Sequence, residues 1–319
     1  MANACGFTVA HKVGSGMATS TELPAYAELH CLSNFSFLRG AAHADDLVRR
    51  SIELGYTALA ITDECSVAGV VRAYAAIKAI ENCPLKLIVG SEFTLECGIK
   101  LLLLATDRSS YARVVTVITS ARRAASKGEY QLTRNMLEQH DLTGCLAIWL
   151  PTLPPTQADG RFLKALLPDL WVGVELLLDG HDSNILSNCT NVANELQLPL
   201  VACGDVHMAR ENQRPLQDTV TAIRIGKPLR ECGTALFQNA ERHLRSRNRL
   251  AKIYPPNLLA ETVIVAERCH FDLGKLGYEY PQEIVPAGHT PTSWLRELTY
   301  QGAANRWPKG IAKETRAQL

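Results

Sequence analysis

Seven short apolar runs punctuate the first two thirds of the chain: AYAELHCL, YTALAITD, LKLIVGSEF, KLLLLAT, CLAIWL, WVGVELLL and LPLVACGDV. Each has the length of a strand and is nearly continuous in apolar residues, the pattern of a strand buried on both faces. Between several of them the apolar positions recur at helical spacing, in HADDLVRRSIELG with Gly55 as a stop, SVAGVVRAYAAIKAI, SSYARVVTVITSARRAA and DSNILSNCTNVANELQL. Strands alternating with helices predict a mostly parallel sheet covered on both faces. About seven such units closing on themselves make a barrel of the TIM kind, and an open doubly wound sheet is the alternative.

After Met208 the pattern changes. LQDTVTAIRIGKPL, AERHLRSRNRLAKIY and LLAETVIVAERCHFDL read as helices, YEYPQEIVPAGHTPTS as a linker, and SWLRELTYQGAANRW as a last helix with Leu295, Leu298 and Ala303 on one face. The first residues, up to Pro24, contain no signal-peptide core and read as a disordered leader, with Met17 an alternative start. No apolar run approaches the ~20 residues of a membrane span.

The net charge of +1 conceals a division: residues 1–207 carry 16 Lys and Arg against 21 Asp and Glu, and residues 208–319 carry 17 against 11. An acidic first part suits a cation site, and a basic second part suits contact with a polyanion. The ten cysteines are scattered singly without a CxxC pair, as in a cytoplasmic protein with reduced, mostly buried thiols. Walker loops, GxGxxG after a strand, GxSxG and HExxH are absent, which removes the common nucleotide kinases, dehydrogenases and serine hydrolases.

Chemistry-bearing residues gather where the apolar runs break off. Glu28 and His30 follow the first, Asp63 and Glu64 the second, Glu92 the third, and Asp205 and His207 the seventh. In parallel strands such residues converge at one end of the sheet, where barrels build metal and phosphoester sites. In extended chain, positions i and i+2 face the same way, so Glu28 pairs with His30 and Asp205 with His207. The bland alternative is a set of helix-capping acids and hydrogen-bonded histidines. The run Arg242, Arg245, Arg247, Arg249 and Lys252 reads either as a phosphate grip or as a solvated helix face.

AELHCLSNFSFLRGAAHADDLVRRSIELGYTALAITDECSVAGVVRA and LPLVACGDVHMA together resemble the polymerase and histidinol phosphatase (PHP) domain of bacterial C-family DNA polymerases, the DNA polymerase III alpha subunits. ELHCLSNFSFLRGA and ITDECSVAGVVRA are most similar to their error-prone class, associated with damage-induced translesion synthesis and repair. The resemblance runs from about Tyr26 through most of the chain. It implies a distorted TIM-like (β/α)7 PHP barrel with a C-terminal helical extension leading toward a polymerase palm. The implied division is a leader over 1–22, the barrel over 23–210, the extension over 211–278, and a linker with the start of a truncated palm region over 279–319.

Carried over by position, the resemblance places metal ligands at Glu28, His30, Asp63, Glu64, Glu92, Asp205 and His207. Glu28 and Glu64 stand where metal-binding members carry histidine. Near the fourth and fifth strand ends LLLLATDRSS offers Asp107, and CLAIWLPT offers no ligand. A divalent-metal site (Mn, Mg or Zn) in altered, degenerate form is therefore implied, carboxylate favouring Mn or Mg over Zn. Three readings stay open. The first is the PHP region of an error-prone polymerase lacking the polymerase active site, bound to DNA and to replication or translesion proteins through the full-length enzyme. The second is a stand-alone metal-dependent phosphoesterase using a metal-activated water. A catalytically silent scaffold is the third. The residues assign no catalytic group.

Overall fold

The computed structural model describes residues 23–152, 154–277 and 284–319. The expected leader and its alternative start, and the first part of the predicted linker, lie outside them. The chain divides into two compact units between Leu273 and Gly274.

In the first unit every predicted apolar run supplies a strand: β1 (Ala27–Glu28), β2 (Ala58–Ile61), β3 (Lys86–Thr94), β4 (Lys100–Ala105), β5 (Cys145–Leu150), β6 (Leu170–Glu175) and β7 (Leu200–Cys203). They hydrogen-bond in sequence order. The first and last edges meet just beyond the strands, where Leu32 N–H donates to the Val206 carbonyl at 2.8 Å and Val206 N–H to the His30 carbonyl at 3.0 Å. The result is the nearly closed, distorted barrel of the expected class, not the open sheet.

One strand departs from βα alternation. β4 is antiparallel to both β3 and β5, whereas the other paired neighbours are parallel. The cause is local, because residues 95–99 are too few for a crossover helix. Gly98, at φ +88°, turns the chain back instead. Lys100, the first residue of β4, therefore lies at the end of the barrel where its neighbours finish.

The helices of this unit are α1 (Ala44–Glu53), α2 (Ala68–Lys78), α3 (Arg108–Arg123), α4 (Arg134–Glu138), α5 (Gln157–Leu166), α6 (Asp182–Leu196), α7 (Arg214–Ile225), α8 (Arg247–Ile253) and α9 (Pro256–Arg268). Alternation along the strands splits the core in two. Leu59, Ile61, Leu101, Leu103, Trp149 and Val172 pack outward against the helices. Ala58, Ala60, Ile88, Leu102, Leu104, Ile148 and Trp171 fill the barrel. Val265, Ala266 and Cys269 at the end of α9 join that inner cluster, and Thr262 Oγ1 accepts from Ala27 N–H at 3.1 Å, so α9 closes the end where the parallel strands begin. The opposite end is left for polar chemistry.

The expected helix across AERHLRSRNRLAKIY is shorter than its pattern. It begins only at Arg247, capped by Ser246. Residues before it run extended, with the Arg242 carbonyl accepting from His207 and Met208 N–H at 2.9 and 3.0 Å. Nine cysteines among the described residues are free thiols, most of them buried. The second unit carries α10 (Pro291–Arg306), capped by Thr290, and α11 (Lys313–Gln318). On α10, Ala303 is buried but Leu295 and Leu298 are largely exposed. Among the described residues no helix is long and apolar enough to cross a membrane.

Candidate site at the barrel mouth

Strand ends deliver an acidic and imidazole cluster to the open end of the barrel. Among the described residues, His30, Glu92 and Asp205 bring ligand-type atoms within 4.8 Å of one another, and all three are buried. Asp205 sits at φ +45°, a left-handed conformation that Asp tolerates better than most residues.

Cations of the protein itself occupy this cluster. Glu92 Oε1 faces Arg39 Nη1 at 2.5 Å, while its Oε2 faces His30 Nε2 at 2.7 Å and Lys100 Nζ at 3.0 Å. Asp205 Oδ2 accepts from Arg242 Nε at 2.5 Å, and Oδ1 lies 3.1 Å from His207 Nε2 and 3.8 Å from Lys100 Nζ. Both His30 ring nitrogens face carboxylates, Nδ1 meeting Glu175 Oε1 at 2.7 Å. A histidine so placed can donate from both nitrogens only as an imidazolium. Burial and Lys100 oppose its charge, but the hydrogen bonds and charges of Glu175 and Glu92 prevail and raise its pKa to about 9.

The acids respond in kind. Burial alone would raise the Glu92 and Asp205 carboxyls, yet Lys100, with His30 and Arg39 at one and Arg242 and His207 at the other, holds both well below the usual range. Lys100 is held above the usual lysine value against its burial by Asp205, Glu92 and Glu175. Glu64, Glu92, Glu175 and Asp205 thus face Arg39, Lys100, Arg242 and the His30 ring.

Of the remaining predicted ligands, Glu64 and His207 border this group and Glu28 and Asp63 lie outside it. Glu28 is 1% exposed and accepts from Tyr26 Oη, His30 N–H and Gly204 N–H at 2.8, 3.0 and 2.9 Å, tying the first strand to the loop after the last. Burial raises its pKa despite those bonds. Asp63 accepts from Ser33 N–H, Ser33 Oγ and Ser36 Oγ at 2.8, 2.7 and 2.7 Å, organising the turn after β1. Glu64 pairs with Arg39 at 2.7 Å and accepts from Tyr130 Oη at 3.0 Å. His207 reaches the cluster through Asp205 while its Nδ1 donates to the Arg39 carbonyl at 3.0 Å. Asp107 is at the far end of the reversed β4, where it caps α3 by accepting from Ser110 N–H at 2.7 Å.

The basic run is largely engaged within the protein. Arg242 holds Asp205, Arg245 is 1% exposed and donates to the Leu176 carbonyl at 2.8 Å, Arg247 donates to the Leu54 carbonyl at 3.1 Å, and Arg249 pairs with Glu241. Lys252 is exposed on α8. Three members of the cluster are absent from the residues expected from sequence: Arg39, Lys100 and Glu175. Glu175 was findable, because it ends WVGVE as Glu92 ends LIVGSE. Lys100 was hidden by the assumption that its strand runs parallel.

Comparison with known proteins decides the family. The model of the PHP domain matches residues 28–185. The barrel is a PHP domain. Over 304 residues, 95% of this chain, the sequence is 55% identical to an error-prone DNA polymerase of Methylococcus capsulatus, and over 298 residues, 93% of this chain, it is 52% identical to one of Pseudomonas aeruginosa. The chain spans 29% and 28% of those relatives' own lengths. Among solved structures, a putative metal-dependent phosphoesterase from Bifidobacterium adolescentis aligns with 58% of this chain and 89% of its own, at 17% identity and a TM-score of 0.43.

PHP domains are a setting for divalent metals, and the mouth cluster has the spacing for one ion. Its donors do not fit the role. A metal ligand must offer a lone pair, and both His30 nitrogens face carboxylates at 2.7 Å, so a metal there would have to displace a proton from the ring and break one of those contacts. Both oxygens of Glu92 and of Asp205 already face guanidinium, ammonium or imidazole. Adding a dication would put two further positive charges against Lys100, Arg39 and Arg242.

Proposed function

We propose that this chain is the PHP region of an error-prone DNA polymerase, acting in the cytoplasm in damage-induced synthesis and repair, and that its barrel is a metal-free scaffold instead of a phosphoesterase. The observation that carries the second half is Lys100: an ammonium 3.0 Å from Glu92 and 3.8 Å from Asp205 stands where a metal would share those acids. Without a Lewis acid the mouth does not generate a metal-activated water, and the cations that could face phosphoryl oxygens, Arg39, Lys100 and Arg242, are already paired with acids. The first half is supported by about half-identity to error-prone polymerases over 93–95% of this chain. Nucleotidyl transfer, contact with DNA at the polymerase centre and most partner binding would fall to the parts of such an enzyme that these residues do not span.

The test is hydrolysis. Purified chain incubated with 5′-labelled single-stranded DNA, and separately with a generic phosphodiester, in Mn2+, Mg2+ or Zn2+ is expected to leave both intact, and to extend no primer. Metal-dependent cleavage that disappears in Asp205→Asn would replace the scaffold by an altered but active phosphoesterase. Template-directed incorporation would refute the placement of synthesis elsewhere.

A further inference from the structure

The turn after β1 carries two phenylalanines that the barrel does not use. Phe35 is 40% exposed and Phe37 is 82% exposed. The turn is nonetheless rigid. Asp63 holds it through Ser33 and Ser36, Arg39 and Gly40 N–H close onto the Ser36 carbonyl at 2.8 and 3.1 Å, and Ala41 N–H reaches the His207 carbonyl at 2.9 Å. Gly69 at the start of α2 packs so tightly that a Cβ there would lie 2.2 Å from Asp63 Oδ2 and 2.5 Å from Ser33 Oγ. Two aromatic rings are thus presented to solvent on a fixed support.

Beside that support runs an open groove of about 530 Å3 between α1 and α2, lined by Asn34, Phe35, His43, Asp45, Arg49 and Arg72. Among the described residues Arg49 is engaged only at 3.9 Å, by Asp45, and its side chain is 66% exposed. Arg72 is exposed and makes no ion pair or hydrogen bond among the described residues. Asn34 Oδ1 is buried without a partner. The two guanidinium groups outnumber the single carboxylate, so the groove attracts anions.

We infer that the Phe35–Phe37 turn and the Arg49–Arg72 groove form a binding surface for single-stranded DNA, bases stacking on the phenylalanines and the backbone following the arginines. Sequence-tolerant binding of single strands needs this combination of cationic groove and aromatic platform. The choice of DNA over another polyanion rests on the polymerase reading above. The surface uses none of the ion-paired side chains of the mouth and requires no metal.

Fluorescence anisotropy of the 319-residue chain with labelled oligo(dT) tests it. Arg49→Gln/Arg72→Gln is expected to weaken binding and to reduce the slope of log affinity against log salt by about 1.4, two single-strand phosphate contacts. Phe37→Ala is expected to weaken it about tenfold with the salt slope unchanged. The charge-matched Arg123→Gln/Lys127→Gln, exposed and outside the groove lining, is expected to bind as wild type. All these side chains are exposed, so unchanged thermal midpoints separate lost contacts from lost fold. Absence of binding by the wild type, equal effects of the two arginine pairs, or displacement by poly-glutamate as readily as by DNA would each overturn the proposal. Metal uptake or hydrolysis at the mouth would overturn the scaffold reading and leave these anisotropies as they stand.

Discussion

Lys100 decides how the mouth of the barrel works. Its ammonium is shared by two buried acids, and removing it leaves Glu92 to Arg39 and His30 and Asp205 to Arg242 and His207, weakening the compensation of both. Lys100→Met is therefore expected to destabilise the fold by roughly 3 kcal/mol, read as a shifted urea midpoint. His30 supplies the pH dependence. Its folded pKa of about 9 lies above the ordinary 6.5, so its contribution is fully present below pH 6.5 and is lost as pH rises through 9. Glu92 and Asp205 are shifted the other way, so theirs is present above the ordinary carboxylate range and lost as pH falls below it. Thermal midpoints should decline from pH 6.5 to 9, and His30→Gln should flatten that limb; an unchanged slope would mean the imidazolium is not what the carboxylates hold. At this scale the sequence reading was partial. His30, Glu92 and Asp205 were legible because strand ends aim such residues at one place. Glu28 and Asp63 occupy equivalent positions but are satisfied by backbone N–H and hydroxyl groups, partners that no spacing rule reveals.

Strands and helices were easier to read, because continuous apolar runs and helical periodicity each report burial directly. All seven runs became strands, and the four expected helices between them formed. Direction was the hidden variable: β4 reverses because a five-residue connection cannot cross over, and Gly98 makes its turn. Gly98→Ala has open space for its Cβ but an unfavourable φ, so a loss of about 1 kcal/mol is expected from backbone strain alone. Gly204 is a harsher case. A Cβ there would lie 2.2 Å from Glu28 Oε2, against the carboxylate that ties the first strand to the last. Gly204→Ala should therefore cost clearly more than Gly98→Ala, and equal denaturation midpoints for the two variants would contradict the role given to Glu28. AERHLRSRNRLAKIY failed as one helix because Arg242 is held extended beside His207, a tertiary contact that overrides local periodicity.

At the scale of the barrel, α9 closes the end where the parallel strands begin and ion pairs fill the other, the arrangement on which the scaffold proposal rests. Its relatives are more than three times longer and are error-prone DNA polymerases. The family resemblance was legible from motif wording, but the state of the site was not, since the cations that fill it come from a loop, a reversed strand and the extension after the barrel. Metal analysis by mass spectrometry, after equilibration of the purified chain with Mn2+ and Zn2+ and removal of free ions, tests this most directly. No stoichiometric metal is expected in the wild type. A bound ion per chain that is lost in Asp205→Asn would contradict it.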